Sequence, residues 1–290
     1  MRRLPLLLLL PLLVGCLGLG TKPESPPPAP APVKIALALG GGAARGFAHI
    51  GVIKALEAQG IVPDIIVGTS AGAVVGALYA SGLNGLELQK VALEMEESQF
   101  GDWSLPDRGV FKGEALQTFV NKAVGQRTLE KLPRQFSAVA TDLRSGEAVV
   151  FRTGNTGMAV RASATVPGVF QPVNISGRDY VDGGLVSPVP ARIARGQGGT
   201  FVIAVDISSK PKDANPRSTL DVLLQTFSIM GQSITRYETA DADIVIRPVT
   251  GDLPSTDFAG RHRAVLEGER AAGAVMAEIK AKLEKKRNGG

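Results

Sequence analysis

The chain has 290 residues, 44% of them hydrophobic and 20% charged, with 35 glycines, one cysteine and two histidines. This is the composition of a globular protein able to bury a core, and a sole cysteine excludes an internal disulfide. The formal charge of +5 comes from scattered cations with few aromatics among them, which gives no support to nucleic-acid binding; the run from Lys280 to Arg287 suits a solvated helix end.

Arg2 and Arg3 precede Leu4 to Val14, an almost unbroken run of leucine. A charged start followed by a short apolar stretch is the pattern of a secretory signal, and it is too short to span a bilayer, which takes roughly 20 residues. The run ends at Leu13-Val14-Gly15-Cys16, which resembles the lipobox of bacterial lipoproteins. That resemblance implies cleavage before Cys16, a signal peptide of residues 1–15 and acylation of Cys16. Leu17, where inner-membrane lipoproteins carry Asp, implies a cell-envelope protein held at the outer membrane in a host with two membranes. Removing Arg2 and Arg3 would lower the formal charge from +5 to +3. Prolines 23, 26, 27, 28, 30 and 32 then predict an extended tether over residues 16–33. A single domain is expected over 34–290.

Lys34 to Leu39 is a short apolar run entering Gly40-Gly41-Gly42, the signature of a buried strand and a tight turn. A helix is expected from about Ala44 to Gln59, stopped by Gly60, with His49 on the face of Ile53 and Leu56 as a partly buried histidine. Pro63 to Gly68 predicts a second buried strand, and Ser70 opens a second helix reaching about Ser81. Strand, helix, strand, helix in fifty residues argues for βαβ units and a mainly parallel sheet. Leu86 to Gly125 reads as helical, with a loop around Gly101 to Gly113. Phe136 to Leu143 and Glu147 to Arg152 read as strands joined by a hairpin-like turn at Arg144-Ser145-Gly146. After a loop-rich stretch from Pro167 to Gly177, the short run Tyr180-Val181 ends at Asp182-Gly183-Gly184. Phe201 to Asp206 and Asp243 to Pro248 are further buried strands, and an amphipathic helix closes the chain from about Arg261 to Lys285.

Three features carry chemistry. Consecutive glycines after a strand, followed by a helix N-terminus, form a device for an anion, either a phosphate or an oxyanion. The dinucleotide fingerprint fits poorly, because Arg45 stands where its third glycine belongs, and no Gly-Lys-Ser/Thr makes a P-loop. Gly68-Thr69-Ser70-Ala71-Gly72 has the form and the strand–turn–helix setting of a nucleophile elbow. Its serine needs a base, and an ionised carboxylate within hydrogen-bond reach can serve. Asp182, flanked by Gly183 and Gly184, is the best candidate, although Asp before Gly is also an ordinary turn former.

Together, Gly40-Gly41-Gly42-Ala43-Ala44-Arg45-Gly46, the elbow and Asp182-Gly183-Gly184 resemble the patatin-like phospholipases. The likeness to bacterial members extends over Ala44 to Val52 and Ala162 to Phe170, and spans roughly residues 34–210. It implies an α/β, three-layer fold with a mainly parallel central sheet flanked by helices. It also implies lipid acyl hydrolysis by a Ser70–Asp182 dyad, without metal or cofactor, through an acyl-serine intermediate. Ser70 is then the nucleophile and Asp182 the general base. An oxyanion hole would be drawn from the amides of Gly40, Gly41, Gly42 and Ala71. Arg45 would brace the glycine loop or meet a phosphate, and Gly68, Gly72, Gly183 and Gly184 give the turns room. The expected partners are a phospholipid or other acyl-ester lipid, and a membrane reached through the N-terminal anchor.

Other readings stand beside this one. A Ser-Asp-His α/β-hydrolase would use His262, which follows the last strand but lies three residues before Val265 on the packed stripe of the terminal helix. A non-catalytic lipid-binding lipoprotein would keep the fold without the chemistry, and an acyltransferase would use the same residues. Val166 to Phe170 and Leu105 to Phe111 could line an acyl channel or simply pack.

Overall fold

The computed structural model describes residues 32–95, 111–208, 218–250 and 259–289. The signal-like run, Cys16, the tether before residue 32 and residues 105–110 of the expected channel lie outside them.

Eight strands form one sheet: β1 (Ile35–Leu39), β2 (Ile65–Thr69), β3 (Gln135–Asp142), β4 (Ala148–Phe151), β5 (Val173–Ile175), β6 (Arg178–Asp182), β7 (Phe201–Val205) and β8 (Ile244–Ile246). Their order is β5-β6-β3-β2-β1-β7-β8, with β4 also paired to β3. The span from β3 through β2, β1 and β7 to β8 is parallel, whereas β4, β5 and β6 join antiparallel at one side. The central strands are apolar almost throughout because both of their faces are covered.

The pleat sorts their side chains. Leu37 and Leu39 of β1 enter a large core with α1 (Phe47–Glu57), α2 (Ala71–Ala80) and α8 (Arg261–Arg287). Ala36 and Ala38 point the other way, meeting Ile65, Val67, Val202 and Ala204 beneath α6 (Ala191–Gly196). Helix, sheet and helix make the three layers. The remaining described helices are α3 (Gly85–Glu94), α4 (Glu114–Ala123), α5 (Thr156–Ala164) and α7 (Thr219–Glu238).

Several expectations shift in detail. The first helix does not start at Ala44: a 3-10 turn occupies Ala43–Gly46, and α1 begins at Phe47. Gly46 there lies against the Ala71 methyl of α2. The stretch read as loop-rich from Pro167 to Gly177 contains β5, which pairs with β6 across the Ser176-Gly177 turn. The hairpin at 144–146 forms, with Asp142 Oδ1 accepting from the Arg144 and Ser145 amides and Gly146 at positive φ. At the far end, α8 packs closely on α1. A Cβ on Gly268 would strike the Ala48 carbonyl, and one on Gly51 the Val265 carbonyl.

Candidate active site

The site lies at the C-terminal edge of the parallel strands, where α/β folds bind ligands. β1 ends in the glycine loop, β2 ends at Ser70, and the two strands are adjacent and parallel. Ser70 adopts φ 54° and ψ −120°, a strained conformation for a residue with a Cβ, at the position just before α2, whose amides its side chain does not cap. The turn is possible because its neighbours lack side chains: a Cβ on Gly72 would strike the Leu39 carbonyl, and one on Gly68 the backbone of Gly72 and Ala73.

Sheet register brings Asp182 to this serine. β3 pairs Val139 with Thr69, then continues past the end of β2. β6 returns antiparallel along that extension and pairs Asp182 with Ala140, so its last residue ends level with Ser70. The Ser70 hydroxyl donates to Asp182 Oδ2 at 2.6 Å across 112 residues of chain. The Gly184 amide donates to Oδ1 at 2.7 Å, the Asp182 amide to the Thr165 carbonyl, and the Thr141 hydroxyl to the Asp182 carbonyl. Asp182 is 6% exposed. Burial pushes its carboxyl up to about 6, against the opposing hydrogen bonds from Ser70 and Gly184.

The glycine loop corrects one expectation. The Gly40 amide donates to the Val205 carbonyl at 3.0 Å and the Gly41 amide to the Pro188 carbonyl at 2.9 Å, so neither is open to an oxyanion. Among the described residues no acceptor takes the amides of Gly42 and Ala71. Gly41 still flanks Ser70, since a Cβ there would lie 3.2 Å from Ser70 Cβ.

His49 is wholly buried rather than partly buried. Its Nε2–H donates to the Gly40 carbonyl at 2.7 Å, while Nδ1 has no partner. Burial pulls its pKa down to about 4, which keeps the ring neutral. Arg45 braces the loop, its Nε–H donating to the Ile207 carbonyl at 3.0 Å. His262 is exposed at the start of α8, and the carboxylate hydrogen-bonded to Ser70 is that of Asp182.

Three residues were not singled out from sequence. Ser163 of α5 accepts the Ser70 amide at 2.9 Å and donates to the Val139 carbonyl at 2.6 Å, so one hydroxyl bridges elbow and sheet. Ser187 donates to Glu238 Oε1, and Glu238 Oε2 accepts the Val189 amide. A serine inside the small-residue run Ala162-Ser163-Ala164 was a legible hint. Glu238 offered none, because only the packing of α7 shows that it is buried.

Ser70 stands in the wall of a cavity of about 210 Å³ lined by Phe47, Ile50, Val75, Leu88, Met95 and Phe170, all apolar. A second cavity, about 240 Å³, shares Ala43, Ser70 and Val166 and adds Arg45, Asp182, Ser208 and Gln232. Val166 and Phe170 thus do line an apolar cavity, with the Phe111 ring 5.7 Å from that of Phe170.

The model of the family "Patatin-like phospholipase" matches residues 37–195. An uncharacterized NTE family protein of Mycobacterium tuberculosis is 37% identical over 190 residues, covering 63% of this chain and 53% of that protein. Patatin-like phospholipase domain-containing protein 6 of Mus musculus is 36% identical over 179 residues, 59% of this chain and 13% of its own length. The chain therefore spans about half of the mycobacterial relative and a small part of the mouse one. Among solved structures, VipD from Legionella pneumophila aligns with a TM-score of 0.56 at 15% identity, over 86% of this chain and 68% of its own. Full-length ExoU of Pseudomonas aeruginosa, solved with SpcU, aligns at 0.52 and 14%, over 90% and 54%. These two likenesses concern the fold. The family match covers more than half of the sequence, and the chain belongs to the patatin-like phospholipase family.

Proposed function

We propose that the protein is a serine lipid acyl hydrolase of phospholipase A, lysophospholipase or esterase type, working through the Ser70–Asp182 dyad. The observation that carries this reading is the 2.6 Å hydrogen bond from a serine at positive φ to a buried carboxylate, beside an apolar cavity. The acyl chain lies in the apolar cavity, and the alcohol or head-group portion in the cavity walled by Arg45.

As Ser70 Oγ bonds to the ester carbonyl carbon, Asp182 takes the hydroxyl proton. The oxyanion is held by the amides of Gly42 and Ala71, at the positive end of α2. Collapse expels the alkoxide, which receives the proton from Asp182. Water then adds to the acyl-serine, giving its proton to Asp182, and collapse releases the fatty acid as that proton returns to Ser70. A carboxylate suffices as base because burial has raised its proton affinity.

A fluorophosphonate probe tests the reading. Labelling of wild type and its loss in Ser70→Ala are expected, with activity lost in Asp182→Ala and kept in His262→Ala; the reverse pattern for the last two would transfer the base to His262.

We further propose that Cys16 is acylated and anchors the mature chain in the cell envelope, at the outer membrane of a two-membrane host. Radioactive fatty acid should label wild type and not Cys16→Ala; equal label in both would remove the anchor.

A further inference from the structure

Six of the twelve exposed large hydrophobic side chains among the described residues belong to α7: Val222, Leu223, Leu224, Ile229, Met230 and Tyr237. Exposed apolar residues are ordinarily scattered singly, and a cluster marks a surface that meets something. At about 100° per residue, Val222, Ile229, Met230 and Tyr237 share one side of the helix with Thr226 and Ser233. No carboxylate interrupts it: Asp221 is held by the Ser218 amide as part of the helix cap, and Glu238 is buried. Arg236 borders it. The other side of the same helix, through Phe227, Ser228, Gly231 and Gln232, walls the cavity that holds Arg45, Ser70 and Asp182.

An apolar stripe free of acids can lie in the plane of a lipid surface, where binding grows with the apolar area buried. We propose that this face of α7 seats the protein on a lipid bilayer, so that the wall of the catalytic cavity stands at head-group level. The proposal rests on the lipid acyl hydrolase reading for its purpose, but the contact is measurable without it. A second copy of the chain is the rival occupant.

The test uses the full chain carrying Cys16→Ala, so that no acyl group supplies membrane affinity, and vesicles of phosphatidylglycerol and phosphatidylethanolamine. Ile229→Ser with Met230→Ser should lower vesicle partitioning at least tenfold and hydrolysis of vesicle lipid in parallel. Hydrolysis of the soluble ester p-nitrophenyl butyrate should stay within twofold, and the size-exclusion volume should not change. Unchanged partitioning overturns the proposal, and a shift from dimer to monomer with partitioning unchanged assigns the face to a second copy. If the parent chain binds vesicles but hydrolyses neither substrate, the hydrolase reading fails and the docking stands. Should the double variant not fold, Ile229→Cys in the same background provides a sole cysteine for an environment-sensitive fluorophore. A blue shift on adding vesicles is expected, and its absence overturns the proposal.

Discussion

Glu238, near the end of α7, accepts the Ser187 hydroxyl at 2.6 Å and the Val189 amide at 3.2 Å, and so fastens both residues that flank Pro188. The Pro188 carbonyl in turn receives the Gly41 amide, and the Thr69 hydroxyl donates to the Ser187 carbonyl. One buried carboxyl thereby holds the strip of chain lying across the glycine loop and the elbow. Glu238→Ala leaves two buried donors without acceptors, at a cost of roughly 1–3 kcal/mol. A lower melting temperature and a lower kcat with little change in KM for a soluble ester are expected. Glu238→Gln, which keeps one oxygen, should recover part of both, and wild-type kcat in the alanine variant would dismiss the positioning role.

In the proposed dyad Asp182 sets the pH dependence of the reaction. The base must be ionised, and burial has pushed its carboxyl up to about 6. The activity on a soluble ester should therefore climb with pH through about 6 and level off above it. Asp182→Asn should lose on the order of 10³-fold or more, the scale of a lost general base. A profile flat between pH 5 and 8 would remove Asp182 from the proton transfer.

The same carboxyl opposes stability. Its folded pKa lies above its ordinary value of 3.8, so between about pH 4 and 6 the folded state binds more protons than the unfolded one. Stability contributed by this group is present at low pH and lost as pH rises through that window, by an amount of roughly 3 kcal/mol at most. Asp182→Asn, whose amide can still meet Ser70 and the Gly184 amide, should melt higher than wild type at pH 8. That advantage should vanish near pH 4.

His49 acts with the opposite sign. Its pKa is held down to about 4 by burial, from 6.5, so the unfolded chain binds the extra proton. Stability from the neutral ring is complete above about pH 6.5 and lost as pH falls toward 4. His49→Phe should flatten the acid limb of a melting-temperature profile. It should also lower kcat, because the Gly40 carbonyl loses its donor and the glycine loop its brace. An acid limb identical to wild type would show that another group governs it.

Ser163 should behave as a positioning residue. Ser163→Ala orphans the buried Ser70 amide, at roughly 1–3 kcal/mol, and removes the hydroxyl bridge from Ser70 to the Val139 carbonyl. A fall of about tenfold in kcat with KM nearly unchanged is expected, with slower fluorophosphonate labelling of Ser70. Unaltered labelling would make the bridge a matter of stability alone.

The parallel half of the fold was legible because Lys34 to Leu39, Pro63 to Gly68 and Phe201 to Asp206 are short apolar runs bounded by turn residues. Glycines at 40–42, 68 and 72 likewise announced backbone close to a reacting group. What local pattern could not disclose was carried by tertiary contacts. The Gly40 and Gly41 amides look free in a glycine run, but their partners, Val205 and Pro188, lie over 140 residues away in sequence. In the 3-10 turn at Ala43–Gly46, Gly46 lies against the Ala71 methyl, a contact that no local pattern displays. α7 is absent from the sequence reading although its signals are there, a capping box at Ser218 and Asp221 and helical spacing of Val222, Ile229, Met230 and Tyr237; only its exposure and the burial of Glu238 needed the fold.

Ser70 and Asp182 stand at the ends of strands that run in opposite directions, and they meet only because β3 overshoots β2 and β6 turns back along it. Strand side chains alternate, so a slip of β6 by one residue would swing Asp182 to the opposite face and silence Ser70. A chain with every strand and helix formed but that pairing misaligned would look native by circular dichroism and have no activity. For the proposed dyad, turnover is thus a checksum of sheet assembly, and active-site titration counts correctly registered molecules rather than folded ones.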